Sequence, residues 1–159
     1  MKILIASGVN LDLLGKREIS IYGKDSLQTM EKLLKSNVTD LKKIFKLKSC
    51  ELVFFQSNDE ATFLEEVSKS WDGIVINPGA WTHTSLALAD RLVGLGTPYV
   101  EVHVSNVFAR EEFRKHSFLS PHAVGTISGF GIYSYLLGLQ ALVTIIQDQL
   151  LPQPCPSRR

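Results

Sequence analysis

The sequence predicts an α/β protein built on one parallel sheet. Short β-rich apolar runs alternate with longer runs of helical periodicity along the 159 residues, and three of the β-rich runs end abruptly in polar segments. The alternation is the pattern of strands joined by helical crossovers. The polar ends matter because open α/β sheets bind ligands in the crevice beyond the carboxyl ends of their strands.

Taken in order, the first strand is expected over Lys2–Ala6 and ends in Ser7-Gly8-Val9-Asn10. The segment from Ser7 to Lys24 is long for a strand-to-helix connection, and such loops are usually functional lids or disordered. A helix over Ser26–Phe45 follows, with an apolar face through Leu27, Met30, Leu33, Leu34, Val38 and Leu41. A strand over Ser49–Gln56 leads to a helix over Asp59–Trp71, for which Ser57 and Glu60 have capping-box spacing. The third strand, Gly73–Ile76, ends in Asn77-Pro78-Gly79-Ala80-Trp81-Thr82-His83-Thr84-Ser85, before a helix over Thr84–Gly94. The fourth strand, Pro98–His103, runs into a short helix expected within Asn106–His116. A fifth strand over Ala123–Ser128 and a last helix over Ile132–Leu150 complete the series. Right-handed crossovers then make a flavodoxin-like five-stranded parallel sheet, with helices on both faces, the simplest outcome. Residues 1–150 are expected to form a single catalytic domain. Pro152, Pro154 and Pro156 cannot continue the last helix, so residues 151–159 are expected to be a disordered tail.

Composition narrows the function. The net charge of +1 argues against a general nucleic-acid binder, yet leaves room for a small anionic ligand held by a local cluster. Cys50 and Cys155 form no CxxC pair, which argues against a zinc or disulfide framework. Cys50 reads as a small buried hydrophobe. No charged segment precedes a long apolar one, and the apolar C-terminal run is broken by Gly138 and Gln140. The expectation is a cytoplasmic protein with no leader and no membrane span. Asn37-Val38-Thr39 reads as a chance sequon on a helix.

The residues beyond the strands are chemically capable. Glu101 and His103 are two apart, so both point to one side of the fourth strand. The carboxylate can then hold the imidazole in one tautomer and raise its basicity; a hydrogen-bonded structural histidine accounts for the same spacing. Tyr22 is a poor base at its usual pKa of about 10. Arg17, on the same loop, can lower it by favouring the phenolate. A surface tyrosine beside a solvated arginine is the alternative. Arg110 and Arg114 share a face if their segment is helical, and can bind a carboxylate or pair with Glu111 and Glu112. His83 and His103, with Glu101 or Asp90, permit a metal site, although the spacing matches no HExxH pattern. Asn77-Pro78-Gly79-Ala80 is no phosphate-binding fingerprint. Gly129-Phe130-Gly131 either presents amides to an anion or lets the last helix pack closely.

These segments, in their order and spacing, resemble the type II 3-dehydroquinate dehydratases from Met1 to about Gln149. The matching residues are Gly8-Val9-Asn10-Leu11, Leu14-Gly15-Lys16-Arg17-Glu18, Tyr22-Gly23, Phe55-Gln56-Ser57-Asn58, Asn77-Pro78-Gly79, Thr82-His83-Thr84-Ser85, Asp90, Glu101 to Asn106 and Arg110-Glu111-Glu112-Phe113-Arg114. The resemblance implies a flavodoxin-like enzyme with no metal or organic cofactor. It would remove water from 3-dehydroquinate by anti elimination through an enolate, giving 3-dehydroshikimate. By position, Tyr22 would take the C2 proton, Arg17 would lower its pKa, and Asn10 would hold the enolate oxygen or a water. His103, oriented by Glu101, would protonate the departing hydroxyl. Asn77 and the backbone of Val104 and Ser105 would bind the carboxylate, with Gly79 among the substrate-binding residues. His83 and Arg114 would bind ring hydroxyls. Asp90 would reach in from a neighbouring subunit of a homododecamer, a tetramer of trimers. A non-catalytic sensor of a shikimate-pathway acid on the same fold is the alternative.

The chain departs from that pattern at Val9, where proline is usual, at Asp12 for asparagine, and at Ala61 and Ser134 for glycines. None removes a catalytic group. Tyr22→Phe and Arg17→Ala are each predicted to lower kcat by about 10²-fold or more, with little effect on folding. Steady-state kinetics beside thermal unfolding check this; near wild-type kcat in either variant removes its assigned role.

Overall fold

The computed structural model describes residues 1–16 and 25–148. Five strands form one parallel sheet: β1 (Lys2–Ser7), β2 (Glu51–Gln56), β3 (Gly73–Asn77), β4 (Tyr99–His103) and β5 (Gly125–Ser128). Their spatial order is β2-β1-β3-β4-β5, the flavodoxin-like order. Among the described residues four α-helices accompany them: α1 (Leu27–Ile44), α2 (Glu60–Val67), α3 (Leu86–Leu95) and α4 (Tyr133–Gln147). The expected tail, residues 151–159, lies outside the described residues.

The sheet is covered on both sides because its central strands are apolar on both sides. In β1, Ile3 and Ile5 join Met30, Leu34 and Leu41 of α1 and Leu139, Leu142 and Val143 of α4 in one core. Leu4 and Ala6, between them, join Phe63 and Val67 of α2 and Leu88, Ala89 and Leu92 of α3 in the other. Such near-continuous apolar strands are expected where a parallel sheet is buried on both faces. Gly138 sets how closely α4 lies on the sheet: a Cβ there would meet Val102 Cγ1 at 2.6 Å and Val75 Cγ1 at 3.3 Å.

Local chemistry accounts for the helix ends. Ser26 caps α1 and Ser85 caps α3, each through its side-chain oxygen. The expected capping box of α2 is not formed. Asp59 is the N-cap and accepts from the Thr62 amide at 2.7 Å, while Ser57 Oγ accepts from the Asp59 amide at 2.9 Å. Asp59 supplies the stronger, charged acceptor at the position nearest the free amides. α2 also stops at Val67, short of Trp71, whose indole N–H turns back to the Glu66 carbonyl at 3.0 Å. Asn37 lies within α1 and donates to the Leu33 carbonyl at 2.8 Å. Cys50 is half-buried, and burial pushes its thiol pKa up.

The crossover from β4 to β5 differs most from expectation. In place of one short helix it makes three 3₁₀ turns, Val107–Ala109, Glu112–Arg114 and Ser120–His122. Arg110 breaks the run with extended backbone, φ −105° and ψ −173°, so Arg110 and Arg114 do not share one helical face. No helix among the described residues is long and apolar enough to cross a membrane.

Because α4 is already in contact with β4 at Gly138, Gly138→Ala is predicted to destabilise the fold by about 1–3 kcal/mol through overpacking. Denaturant unfolding measures this; an alanine variant as stable as wild type would show that α4 can move outward freely.

Candidate active site

The sheet order reverses between β1 and β3, and the loops leaving those strands meet there backbone to backbone. The Gly8 amide donates to the Asn77 carbonyl at 2.8 Å. A Cβ on Gly8 would lie 2.4 Å from the Pro78 carbonyl oxygen, and one on Gly79, whose φ is 64°, would lie 2.6 Å from the Val9 carbonyl oxygen. Both glycines are therefore required by close approach, and Gly79 by its conformation as well. Beneath them, buried Ser7 meets the Tyr135 hydroxyl at 2.9 Å, and the Asn77 side-chain oxygen accepts from the Gly79 amide at 3.2 Å.

Asn10 emerges from this floor with φ 64°, a left-handed conformation that asparagine tolerates better than most residues. Its amide donates to Asn58 Oδ1 at 2.7 Å. Gln56 Nε2 supports the same oxygen at 3.1 Å and reaches the Gly8 carbonyl at 3.3 Å. Asn58 Nδ2 in turn donates to Asp12 Oδ1 at 3.1 Å. The departure at Asp12 thus falls in a latch that holds Asn10 from the β2 side, whereas Val9 lies against Gly79.

At the end of β4, His103 Nε2 donates to Glu101 Oε1 at 2.7 Å, the expected pairing of neighbours on one side of a strand. Glu101 has no exposed surface. Burial pushes its pKa up, but the hydrogen bond and charge of His103 and the hydroxyls of Ser120 and Thr82 outweigh it, leaving the carboxyl below its usual range. With Nε2 committed to Glu101, Nδ1 of His103 is the nitrogen left to exchange a proton with a ligand.

His83 sits on the 3₁₀ turn Gly79–His83, and its Nδ1 donates to the His116 carbonyl at 2.6 Å. Burial lowers its pKa, and nearby His103 and Arg114 lower it further against the pull of the His116 carbonyl and Glu101. The ring is therefore held neutral near pH 7, with Nε2 available as an acceptor. Arg114 Nε pairs with Glu111 Oε2 at 3.0 Å, and Arg110 Nε stands 3.7 Å from the same oxygen.

One cleft gathers these groups. Asn10, Asn77, Gly79, His83, His103, Val104, Ser105 and Arg114 all line it, together with Val9, Val107 and Arg110. Of the described residues assigned a role from the sequence, only Glu101, buried behind His103, and Asp90 do not line it; Asp90 faces a separate shallow depression on α3 with Ala87, Arg91 and Gly94. Tyr22 and Arg17 lie outside the described residues. Among the described residues no group of three or more His, Cys, Asp and Glu side chains is placed to hold a metal ion, so His83, His103 and Glu101 do not form the alternative ligand set. The Gly129-Phe130-Gly131 amides are engaged by the His103 carbonyl, Ser134 Oγ and the Val104 carbonyl, which corrects the anion-binding option for that segment.

Sequence reasoning missed Thr82, Ser117 and Ser120 around Glu101, and Asn58 beneath Asn10. A carboxylate inside a strand must find donors when buried. That requirement was the available signal, and it pointed to hydroxyls without saying which.

A histidine oriented by a buried carboxylate, a neutral second histidine, two arginines and two asparagines at a flavodoxin-like switch point make an acid–base site for a small polar anion. The chain belongs to the dehydroquinase class II family, whose sequence model matches residues 1–143. It is 48% identical to a 3-dehydroquinate dehydratase of Prochlorococcus marinus subsp. pastoris, over 92% of this chain and 97% of that one. Its fold matches the type II dehydroquinase of Butyrivibrio crossotus with TM-score 0.81 at 37% identity, covering 89% of this chain and 97% of that one. The type II dehydroquinase of Propionibacterium acnes matches with TM-score 0.78, also at 37% identity, over 90% and 96% of the two chains.

A carboxyl whose pKa is depressed on folding adds stability above its unfolded pKa and loses it as pH falls through the folded value. Acidifying from about pH 5 towards pH 2 is therefore predicted to weaken the fold through Glu101. Glu101→Gln should flatten that part of the profile. It should also destabilise the protein at pH 7 by about 1–3 kcal/mol, since an amide NH₂ then faces hydroxyl donors. Urea unfolding at several pH values is the measurement; an unchanged acid profile in the variant would contradict an ionised Glu101.

Proposed function

We propose that the chain is a 3-dehydroquinate dehydratase, a hydro-lyase that converts 3-dehydroquinate to 3-dehydroshikimate in the shikimate pathway to chorismate and the aromatic amino acids. The observation that carries this reading is the Glu101–His103 pair facing a cleft shared with Asn10, Asn77, His83 and Arg114, in a chain of this family.

The chemistry divides in two. A base removes the C2 proton and leaves an enolate; the C1 hydroxyl then departs with a proton, as water. His103 is the donor for the second step, through Nδ1. Asn10 lies across the cleft in a fixed pose and serves the enolate oxygen or a bound water; a donor aimed at a developing oxyanion is worth about 3–4 kcal/mol. Asn77 and the backbone of Val104 and Ser105 suit the substrate carboxylate. Neutral His83 can accept from a ring hydroxyl, and Arg114 can donate to another. Tyr22 as base and Arg17 as its activator follow from the resemblance. General acid and base catalysis each contribute about 10²–10⁴ in rate, so this division of labour is sufficient in kind.

The same reading extends to assembly and place. Asp90 is given to a neighbour's site within a dodecamer. Supporting it, Asp90 stands on α3 away from this chain's own cleft, and Leu86 and Val93 on that helix are 58% and 52% exposed. A cytoplasmic location suits an enzyme of this pathway.

Metal-stripped protein given 3-dehydroquinate is expected to generate the conjugated enone absorbance of 3-dehydroshikimate. No activity, or activity restored only by zinc or magnesium, would overturn this form of the mechanism; binding without turnover would favour the sensor. Sedimentation over a dilution series, run beside activity, is expected to show the two lost together. A fully active monomer would refute the shared site.

A further inference from the structure

One short segment, His116–Ser120, touches His83 directly and backs His103 through Glu101. Its first carbonyl, that of His116, accepts from His83 Nδ1 at 2.6 Å. The Phe118 amide donates to the Thr82 carbonyl at 2.9 Å, which stitches the segment to the turn that carries His83. Two of its hydroxyls reach the carboxylate behind His103. Ser117 Oγ lies 3.0 Å from each Glu101 oxygen, and Ser120 Oγ lies 2.5 Å from Oε2. Thr82 Oγ1 also donates to Oε1.

Counting protons fixes the directions. Ser117 Oγ already accepts from the Leu119 and Ser120 amides, at 3.0 and 2.9 Å, so its lone pairs are engaged and its proton is free to donate. Ser120 Oγ accepts from Thr126 Oγ1 at 3.2 Å and directs its own proton to Glu101. A hydroxyl has one proton, and an ionised carboxylate offers about four acceptor sites. Ser120, Thr82 and the His103 Nε2–H donate to it, and Ser117, 2.8 Å from Thr82 Oγ1, shares its one proton between that hydroxyl and the carboxylate. Donors so placed stabilise the anion and lower its basicity, so the proton shared with His103 stays on Nε2.

We propose that Ser117, Ser120 and Thr82 are positioning residues for His103: by stabilising Glu101 as an anion they keep the Nε2 proton on the imidazole and leave Nδ1 as the ring atom that exchanges a proton with a ligand. Glu101 is then an orienting anion and not a relay. The inference rests on His103 being the proton donor of the proposed reaction, but its structural half can be tested without turnover.

The groups facing Glu101 are few. His103 is in contact, while His83 and Tyr99 act from farther off. Removing one hydroxyl concentrates the carboxylate's charge on His103 and stabilises the imidazolium. Ser120→Ala, and Thr82→Val as a near-isosteric companion, are therefore expected to move the His103 limb of the kcat profile to higher pH. Both should lower kcat at neutral pH by about tenfold, in the range that loss of a supporting partner produces at metal-bound histidines, with KM changed less than about twofold. Ser120→Thr, which keeps the hydroxyl, should recover most of the rate. Two-bond proton–nitrogen spectra of the wild type, recorded above the His103 titration, should show the Nε2–H tautomer, and the variants a mixture.

An unshifted limb in both variants, or no recovery by Ser120→Thr, would reduce the hydroxyls to packing and overturn the proposal. So would an Nδ1–H tautomer in the wild type. If the protein does not dehydrate 3-dehydroquinate, the pH profile is lost, yet the tautomer spectra still decide whether these hydroxyls control His103.

Discussion

A fully buried carboxylate in the middle of a parallel sheet organises this molecule. Glu101 interrupts β4, a strand that otherwise presents Tyr99, Val100 and Val102 to the two cores. An ionised group placed there without partners would be strongly destabilising, and in proteins such groups are neutralised or surrounded by donors. Here they are surrounded. The β4-to-β5 crossover gives up helical structure and takes short 3₁₀ turns, and in doing so brings Ser117 and Ser120 to the carboxylate and the Leu119 side chain into the core. Tyr99, two residues before Glu101, ties the same segment down by donating to the Leu119 carbonyl at 2.6 Å.

The second organising contact is softer but as restrictive. β1 and β3 release their loops at the same level, and the peptide planes of Gly8 and Pro78 touch. Asn10 on one loop and Asn77 on the other thereby face a common space. His103, from β4, closes it. Groups separated by more than ninety positions in the chain converge because three adjacent parallel strands end together, which is the general reason that such sheets carry sites at this edge.

Much of this was legible beforehand, and the pattern of what was not is instructive. The five strands and four helices follow from apolar period and length, signals that average over many residues. The Glu101–His103 pair follows from the two-residue repeat of a strand, a strictly local rule. Asp59 outcompeting Ser57 as a cap turns on one hydrogen bond, beyond the resolution of spacing alone. The hydroxyls of Thr82, Ser117 and Ser120 are harder still. Serine and threonine occur in loops for many reasons, and only the three-dimensional position of a distant carboxylate distinguishes these. Arg110 and Arg114 would share a face only if their segment were helical; they stand instead at separate 3₁₀ turns and both line the cleft.

The glycine contact at the cleft floor bears on how the site can change over generations. A wall made of side chains can be widened or narrowed one substitution at a time. A floor in which a Cβ on Gly8 would lie 2.4 Å from a carbonyl oxygen, and one on Gly79 2.6 Å from another, offers no such increments. Any replacement there parts the two loops. New ligand preferences in descendants of this chain must therefore arise in the side chains that line the cleft, such as Val9, Val107 and Arg110, while the backbone of its floor stays inherited.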